Sequence, residues 1–241
     1  MAAAPLAHAR LPAADPRLIV PLDVPTVDEA RALVERLGEA VSFYKIGLQL
    51  FATGGMALAA ELKAQGKQVF LDWKLHDIGA TVEKAAAAIA GASCGDFLTV
   101  HAEPQVLAAA VRGRGSSDLK VLGVTVLTSL TPADIAGIGY ALSVEQLVER
   151  RIRQTLEAGA DGVIASPHEA ALARRIGGPD FLVVTPGVRP AGSGKDDQAR
   201  AATPAEALRN GASHLVCGRP ITAASDPHAA ALAVVEEMAG A

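Results

Sequence analysis

The chain has 241 residues, 50% hydrophobic, 20% charged and 3% aromatic, with 22 Lys and Arg against 26 Asp and Glu for a net charge of −4. Moderate charge with plentiful aliphatic residues excludes wholesale disorder, and without a basic surplus nothing coats a nucleic-acid backbone. The longest uncharged runs, such as Val121–Ala133, fall short of the ~18 apolar residues of a membrane helix.

Met1–Pro16 is rich in Ala and Pro and lacks a basic stretch ahead of an unbroken apolar one. It reads as a flexible extension rather than a signal peptide. From Arg17 onward, short apolar runs alternate with amphipathic, alanine-rich stretches. The runs are Leu18–Leu22, Phe43–Gly47, Val69–Leu71, Phe97–Val100, Val121–Leu127, Gly162–Ala165, Phe181–Val184 and His214–Cys217. Between them, Thr26 with Glu29 forms a capping box that opens a helix over Asp28–Leu37, and Val144–Ala158 carries apolar residues at three- and four-residue spacing. Asp226-Pro227 opens the last helix, as an N-cap followed by proline at the first helical position. Glycines 38, 66, 159, 177 and 211 mark helix ends.

Strands that alternate with helices predict parallel pairing. Eight such units fit a (β/α)8 TIM barrel filling residues 17–241 as a single domain better than an open doubly wound sheet. The segment Gly187–Ala202 is glycine-rich, charged and long for a strand-to-helix loop; it is either a tolerated insertion or a lid over a ligand. Cys94 and Cys217 offer neither metal-ligand spacing nor a disulfide framework, so a soluble protein of a reducing compartment is expected.

Active sites of such barrels form at the C-terminal ends of the strands. Those ends carry Asp23, Lys45, Asp72 with Lys74, His101, Thr128, Ser166, Gly187 and Gly218-Arg219. The densest piece is Phe70-Leu71-Asp72-Trp73-Lys74-Leu75-His76-Asp77-Ile78. Alternation along a strand points Asp72 and Lys74 the same way, into the barrel, and Trp73 towards the helices. Lys45 ends the neighbouring run, so Lys45, Asp72, Lys74 and Asp77 alternate in sign. Two carboxylates ~4 Å apart repel by ~4 kcal/mol at an effective dielectric near 20, enough to force a proton onto one of them. Interleaved lysines remove that pressure. A salt-bridged plug is the bland alternative, but buried ion pairs stabilise less than apolar packing, which favours a functional reading. His76 and His101 read as structural histidines.

FLDWKLHDIGATV resembles the Asp-x-Lys-x-x-Asp-Ile signature of the orotidine 5'-phosphate decarboxylase family. The resemblance runs through VPLD, YKIGLQLF, VTVLTS, TPGVRP and VCGRPIT, in that order, from about Arg17 onward. Trp73 stands where the family has a small or aliphatic residue, and Gly79-Ala80 where many bacterial members carry Pro-Asn. The resemblance implies decarboxylation of orotidine 5'-monophosphate to UMP in the cytoplasm, with no metal and no organic cofactor. It implies that Lys74 protonates pyrimidine C6, that Asp72 lies against the departing carboxylate, and that Asp23 and Lys45 meet the ribose hydroxyls. Asp77, Ile78 and Thr81 are expected to reach into the partner subunit's site of a homodimer. Thr128 and Ser166 are expected on the pyrimidine, and Arg189, Gln198, Gly218 and Arg219 on the phosphate. Two alternatives stay open. One is a Mg2+-dependent sugar-phosphate enzyme on the same barrel, which needs a further acidic ligand where Lys45 stands. The other is a silent nucleotide-phosphate sensor, whose mark would be a broken charge network.

Overall fold

The computed structural model describes residues 14–190 and 202–241. Its eight strands are β1 (Leu18–Pro21), β2 (Phe43–Gly47), β3 (Gln68–Leu75), β4 (Phe97–His101), β5 (Lys120–Val124), β6 (Gly162–Ile164), β7 (Leu182–Pro186) and β8 (His214–Val216). They close in sequence order into an all-parallel barrel, β1 pairing with both β2 and β8. The chain is the expected (β/α)8 barrel.

Strands covered on both faces need apolar residues at both parities. One set, with Ile19, Phe43, Phe70, Phe97, Leu122, Val184 and Val216, fills the barrel interior. The register that sets Ile19 opposite Phe43, and Phe70 opposite Phe97, stacks these side chains in a layer. Within it Phe43 and Phe97 meet edge-on at 5.0 Å between ring centres, an arrangement aromatic quadrupoles favour. The other set, including Leu18, Val20, Tyr44, Ile46, Leu71, Leu98 and Leu215, packs under the surrounding helices.

Helix Val27–Leu37 starts as expected at Thr26, whose hydroxyl oxygen accepts the Glu29 N–H at 3.2 Å. The returning bond differs: the Thr26 hydroxyl, not its backbone N–H, donates to Glu29 Oε1. Fully reciprocal boxes occur at Thr131 with Asp134, Ser143 with Gln146 and Thr203 with Glu206. Asp226 caps helix Pro227–Ala239 by accepting the Ala229 N–H at 3.0 Å. One expected stop moves: helix Ala170–Gly177 includes Gly177 and ends at Gly178, which takes the positive φ of +81°. At the N-terminus, Asp15 accepts hydrogen bonds from both the backbone and the guanidinium of Arg17, so part of the segment expected to be loose is tied to β1. Among the described residues no helix is long and apolar enough to cross a membrane.

Candidate active site

The site begins with an irregularity in β3. Leu71 pairs with Leu98 but Leu75 pairs with Val100, so four residues of β3 span two of β4. Lys74 takes up the excess at φ +48°, a left-handed conformation that costs a side-chain-bearing residue on the order of 1–3 kcal/mol. Asp72 and Lys74 therefore converge through a bulge, where simple alternation was expected to bring them together. Trp73 faces the helices as expected, buried against Phe51 with ring centres 4.6 Å apart.

The charges form a row across the barrel mouth. Lys45 Nζ lies 3.1 Å from Asp23 Oδ1 and 3.3 Å from Asp72 Oδ2, and Lys74 Nζ lies 2.8 Å from Asp72 Oδ1. Lys45 is only 8% exposed. Burial alone pushes the Asp72 carboxyl up, but Lys45 and Lys74, with hydrogen bonds from Lys74 and Thr99, outweigh it and hold the group below the usual carboxylate range. Gly47 makes the crossing possible. A Cβ there would sit 2.8 Å from Asp23 Oδ1 and 3.2 Å from Lys45 Nζ.

The row divides one cleft into two chemical halves. On one side is a cavity of about 190 Å³, walled by Phe70, Val124, Val126, Leu127, Ile164 and Ala165, with Thr128 and Ser166 on its lining. On the other, Asp23, Arg189, Gly218 and Arg219 line a more polar recess that shares Lys45 and Asp72 with the first. Ser166 is buried and its Oγ has no hydrogen-bond partner among the described residues. Gly218 turns tightly over β1, where a Cβ would meet Pro21 Cγ at 3.1 Å. Among the described residues no group of three or more His, Cys, Asp and Glu is arranged to hold a metal ion.

Three expected residues stand apart from this cleft. Asp77, Ile78 and Thr81 are exposed on the turn and helix start after β3, and Asp77 Oδ1 accepts its neighbour's backbone N–H, from Ile78 at 2.6 Å. The alternating row within one chain is thus Asp23–Lys45–Asp72–Lys74, and Asp77 is not its fourth member. Gln198 lies outside the described residues, as does most of the long segment after β7. Its two ends are joined where the Arg189 N–H donates to the Ala202 carbonyl at 3.0 Å.

Two features escaped the sequence reading. Thr99, a fully buried residue of β4, bonds to both Asp72 and Lys74; its signal was a lone hydroxyl within the apolar run Phe97–Val100. His76 and His101 stack at 4.7 Å, with His76 Nε2 3.8 Å from Glu103 Oε2 and Glu103 Oε1 3.2 Å from Arg151. Burial keeps His101 below the ordinary histidine range, with Glu103 opposing and His76, Arg151 and Lys74 reinforcing the shift. The cluster lies beside the row, with His101 near enough to Lys74 for their charges to interact.

Comparison with known proteins bears on this geometry. The model of the orotidine 5'-phosphate decarboxylase / HUMPS family matches residues 16–234. An orotidine 5'-phosphate decarboxylase of Caulobacter sp. (strain K31) is 73% identical over 227 residues, which span 94% of this chain and 99% of that protein. A second, of Caulobacter vibrioides (strain NA1000 / CB15N), is 70% identical over 231 residues, with 94% and 99% covered. The crystal structure of orotidine 5'-phosphate decarboxylase from Lactobacillus acidophilus superposes with a TM-score of 0.81 at 37% identity, over 93% of this chain and 99% of that one. A match along nearly the whole chain, in a barrel with its charged groups at the expected strand ends, leaves one conclusion. The chain belongs to the orotidine 5'-phosphate decarboxylase / HUMPS family, as an enzyme of the decarboxylase type.

Proposed function

We propose that the protein converts orotidine 5'-monophosphate to UMP and CO2, the last step of de novo UMP synthesis, in the cytoplasm and without metal or organic cofactor. The observation that carries this reading is the row Asp23–Lys45–Asp72–Lys74, laid between an apolar cavity and a recess bearing two arginines. A nucleotide has that same order of parts: a flat base, a diol-bearing sugar and a dianionic phosphate.

In this reading the base lies over Phe70, Val124 and Ile164, and Thr128 and Ser166 bond to its polar edge. The buried Ser166 Oγ, without a partner among the described residues, supports a ligand contact there, since such a group is costly unless something completes it. Asp23 and Lys45 take the ribose hydroxyls. Arg189 and Arg219 supply charge to the phosphate, Gly218 gives it close backbone approach, and Gln198 adds a contact from the segment after β7.

The chemistry follows from the charge pattern. The substrate carboxylate is pressed against ionised Asp72, and this repulsion is relieved as the bond from C6 to the carboxylate breaks and CO2 departs. The electron pair left on C6 takes a proton from the Lys74 ammonium, whose charge stabilises the developing carbanion. Lys45 keeps Asp72 ionised throughout. Asp77, Ile78 and Thr81 complete the site of the second subunit in a homodimer. Their exposure supports this, Ile78 being 69% exposed beside Asp77, as does the lack of an ion pair for Asp77 among the described residues.

The family's second branch motivates the other reading, a Mg2+-dependent sugar-phosphate enzyme. The residues fit it poorly, because Asp23 and Asp72, the carboxylates that would have to hold a hard divalent ion, already have the Lys45 ammonium between them. Incubation of the purified protein with orotidine 5'-monophosphate and EDTA separates the two. Undiminished UMP formation is expected; turnover that collapses in EDTA and returns with Mg2+ supports the second reading, and nucleotide binding without turnover points to a sensor.

A further inference from the structure

Lys74 sits in a backbone conformation that its own strand does not support. The bulge between Leu71 and Leu75 removes it from the β3–β4 ladder, and its φ is +48°. A strained residue persists only when its surroundings over-determine it. The group that does so is Thr99 Oγ1, which accepts the Lys74 N–H at 3.0 Å. The same hydroxyl donates its proton to Asp72 Oδ1 at 2.9 Å, the oxygen that also receives Lys74 Nζ at 2.8 Å. Asp72 Oδ2 is left to Lys45.

From this geometry we infer that Thr99 is a positioning residue for the reaction: one fully buried hydroxyl locks the bulged lysine and orients the carboxylate between the two lysines. The inference rests on the decarboxylase reading and deepens it. A hydroxyl is suited to the position because it donates and accepts at once. The ionised carboxylate is an acceptor only, and the Lys74 amide a donor only, so the hydroxyl bridges them in one sense. Removing it leaves the amide without its acceptor and Asp72 with one donor fewer. The lysine tip is then free to shift by a fraction of an ångström, and a misplacement near 1 Å costs on the order of 10²-fold in rate.

The test compares Thr99→Val, which keeps the shape, Thr99→Ser, which keeps the hydroxyl, and Thr99→Ala, which differs from the serine variant by the hydroxyl alone. With orotidine 5'-monophosphate, kcat of Thr99→Val and Thr99→Ala should fall by about 10–100-fold with KM nearly unchanged, while Thr99→Ser recovers to within about threefold of the wild type. The acid limb of kcat should move to higher pH in Thr99→Val, since Asp72 loses a hydrogen bond that favours its ionised form. Carboxyl 13C titration of Asp72, assigned against Asp72→Asn and run without substrate, should show the same upward shift. That measurement holds whether or not the wild type turns over this substrate, so failure of the functional reading is distinguishable from failure of this one. Wild-type kcat and an unmoved Asp72 titration in the valine and alanine variants would overturn the inference. Equal losses in the alanine and serine variants would do so too, because packing rather than the hydroxyl would then be responsible.

Discussion

Two partly buried ionisable groups, one at each end of the barrel, are treated in opposite ways. Near the entry of β8, His214 lies edge-on to Phe43 and Phe97, with ring centres 6.0 and 5.1 Å away. Burial lowers it to about pH 4, Asp15 opposing the shift and Arg17 adding to it. At the mouth, Asp72 is also withdrawn from water, yet two ammonium groups and a hydroxyl keep it ionised. An apolar setting discharges a group, whereas a matched setting holds it charged and ready for chemistry. Countercharges are gathered around Asp72 at the mouth, whereas the His214 ring at the other end sheds its proton.

Neutralising the mouth should have the largest effect. Lys74→Ala and Asp72→Ala are each expected to lower kcat by about 10⁴-fold or more, since proton transfer alone is worth up to that much and electrostatic stabilisation of the carbanion adds to it. Steady-state turnover measures this; losses below tenfold would mean the row is structural. Asp77→Ala should be comparably inactive. Mixing it with Lys74→Ala under subunit exchange should restore about a quarter of wild-type activity, because half of the dimers are mixed and each has one intact site of two. No recovery despite demonstrated exchange would remove Asp77 from the partner's site.

Changes to the apolar floor should act on stability instead. Phe43→Ala is expected to cost about 3–5 kcal/mol in denaturant unfolding, with kcat of the remaining folded protein changed far less than in the mouth variants. His214 sharpens the contrast through pH. Its folded value of about 4 lies below the ordinary 6.5, so the unfolded chain binds the extra proton between these values. The stability this group contributes is therefore complete above pH 6.5 and lost as pH falls through 4, by up to about 3 kcal/mol. Urea unfolding of His214→Asn across pH 4–7 should show a flatter profile than the wild type; an identical slope would mean that His214 does not titrate in this way.

The sequence announced the frame more clearly than the centre of the site. Eight apolar runs and their helix caps follow from burial on two faces and from local hydrogen bonding, so the barrel was legible. Strand limits blurred where charge entered. β3 runs on through Asp72 and Lys74 to Leu75, although its apolar run stops at Leu71, whereas β5 ends at Val124, short of Leu127. Lys45, Asp72, Lys74 and Asp23 were visible as charges at strand ends. The left-handed turn at Lys74 was not, because it arises from β4 pairing across a bulge and not from any local preference of lysine. Thr99 was hidden for the same reason, as its role depends on two residues of the neighbouring strand. Gly47 likewise reads as an ordinary strand residue until Asp23 and Lys45 are seen above it.

The claim that the charges act as one unit is tested most directly by a double-mutant cycle on Asp72 and Lys74, with kcat measured for Asp72→Ala, Lys74→Ala and the double variant. Groups that work together lose their joint contribution once either is gone. The double variant should therefore be little slower than the slower single one; a loss equal to the product of the two single losses would show that Asp72 and Lys74 act independently.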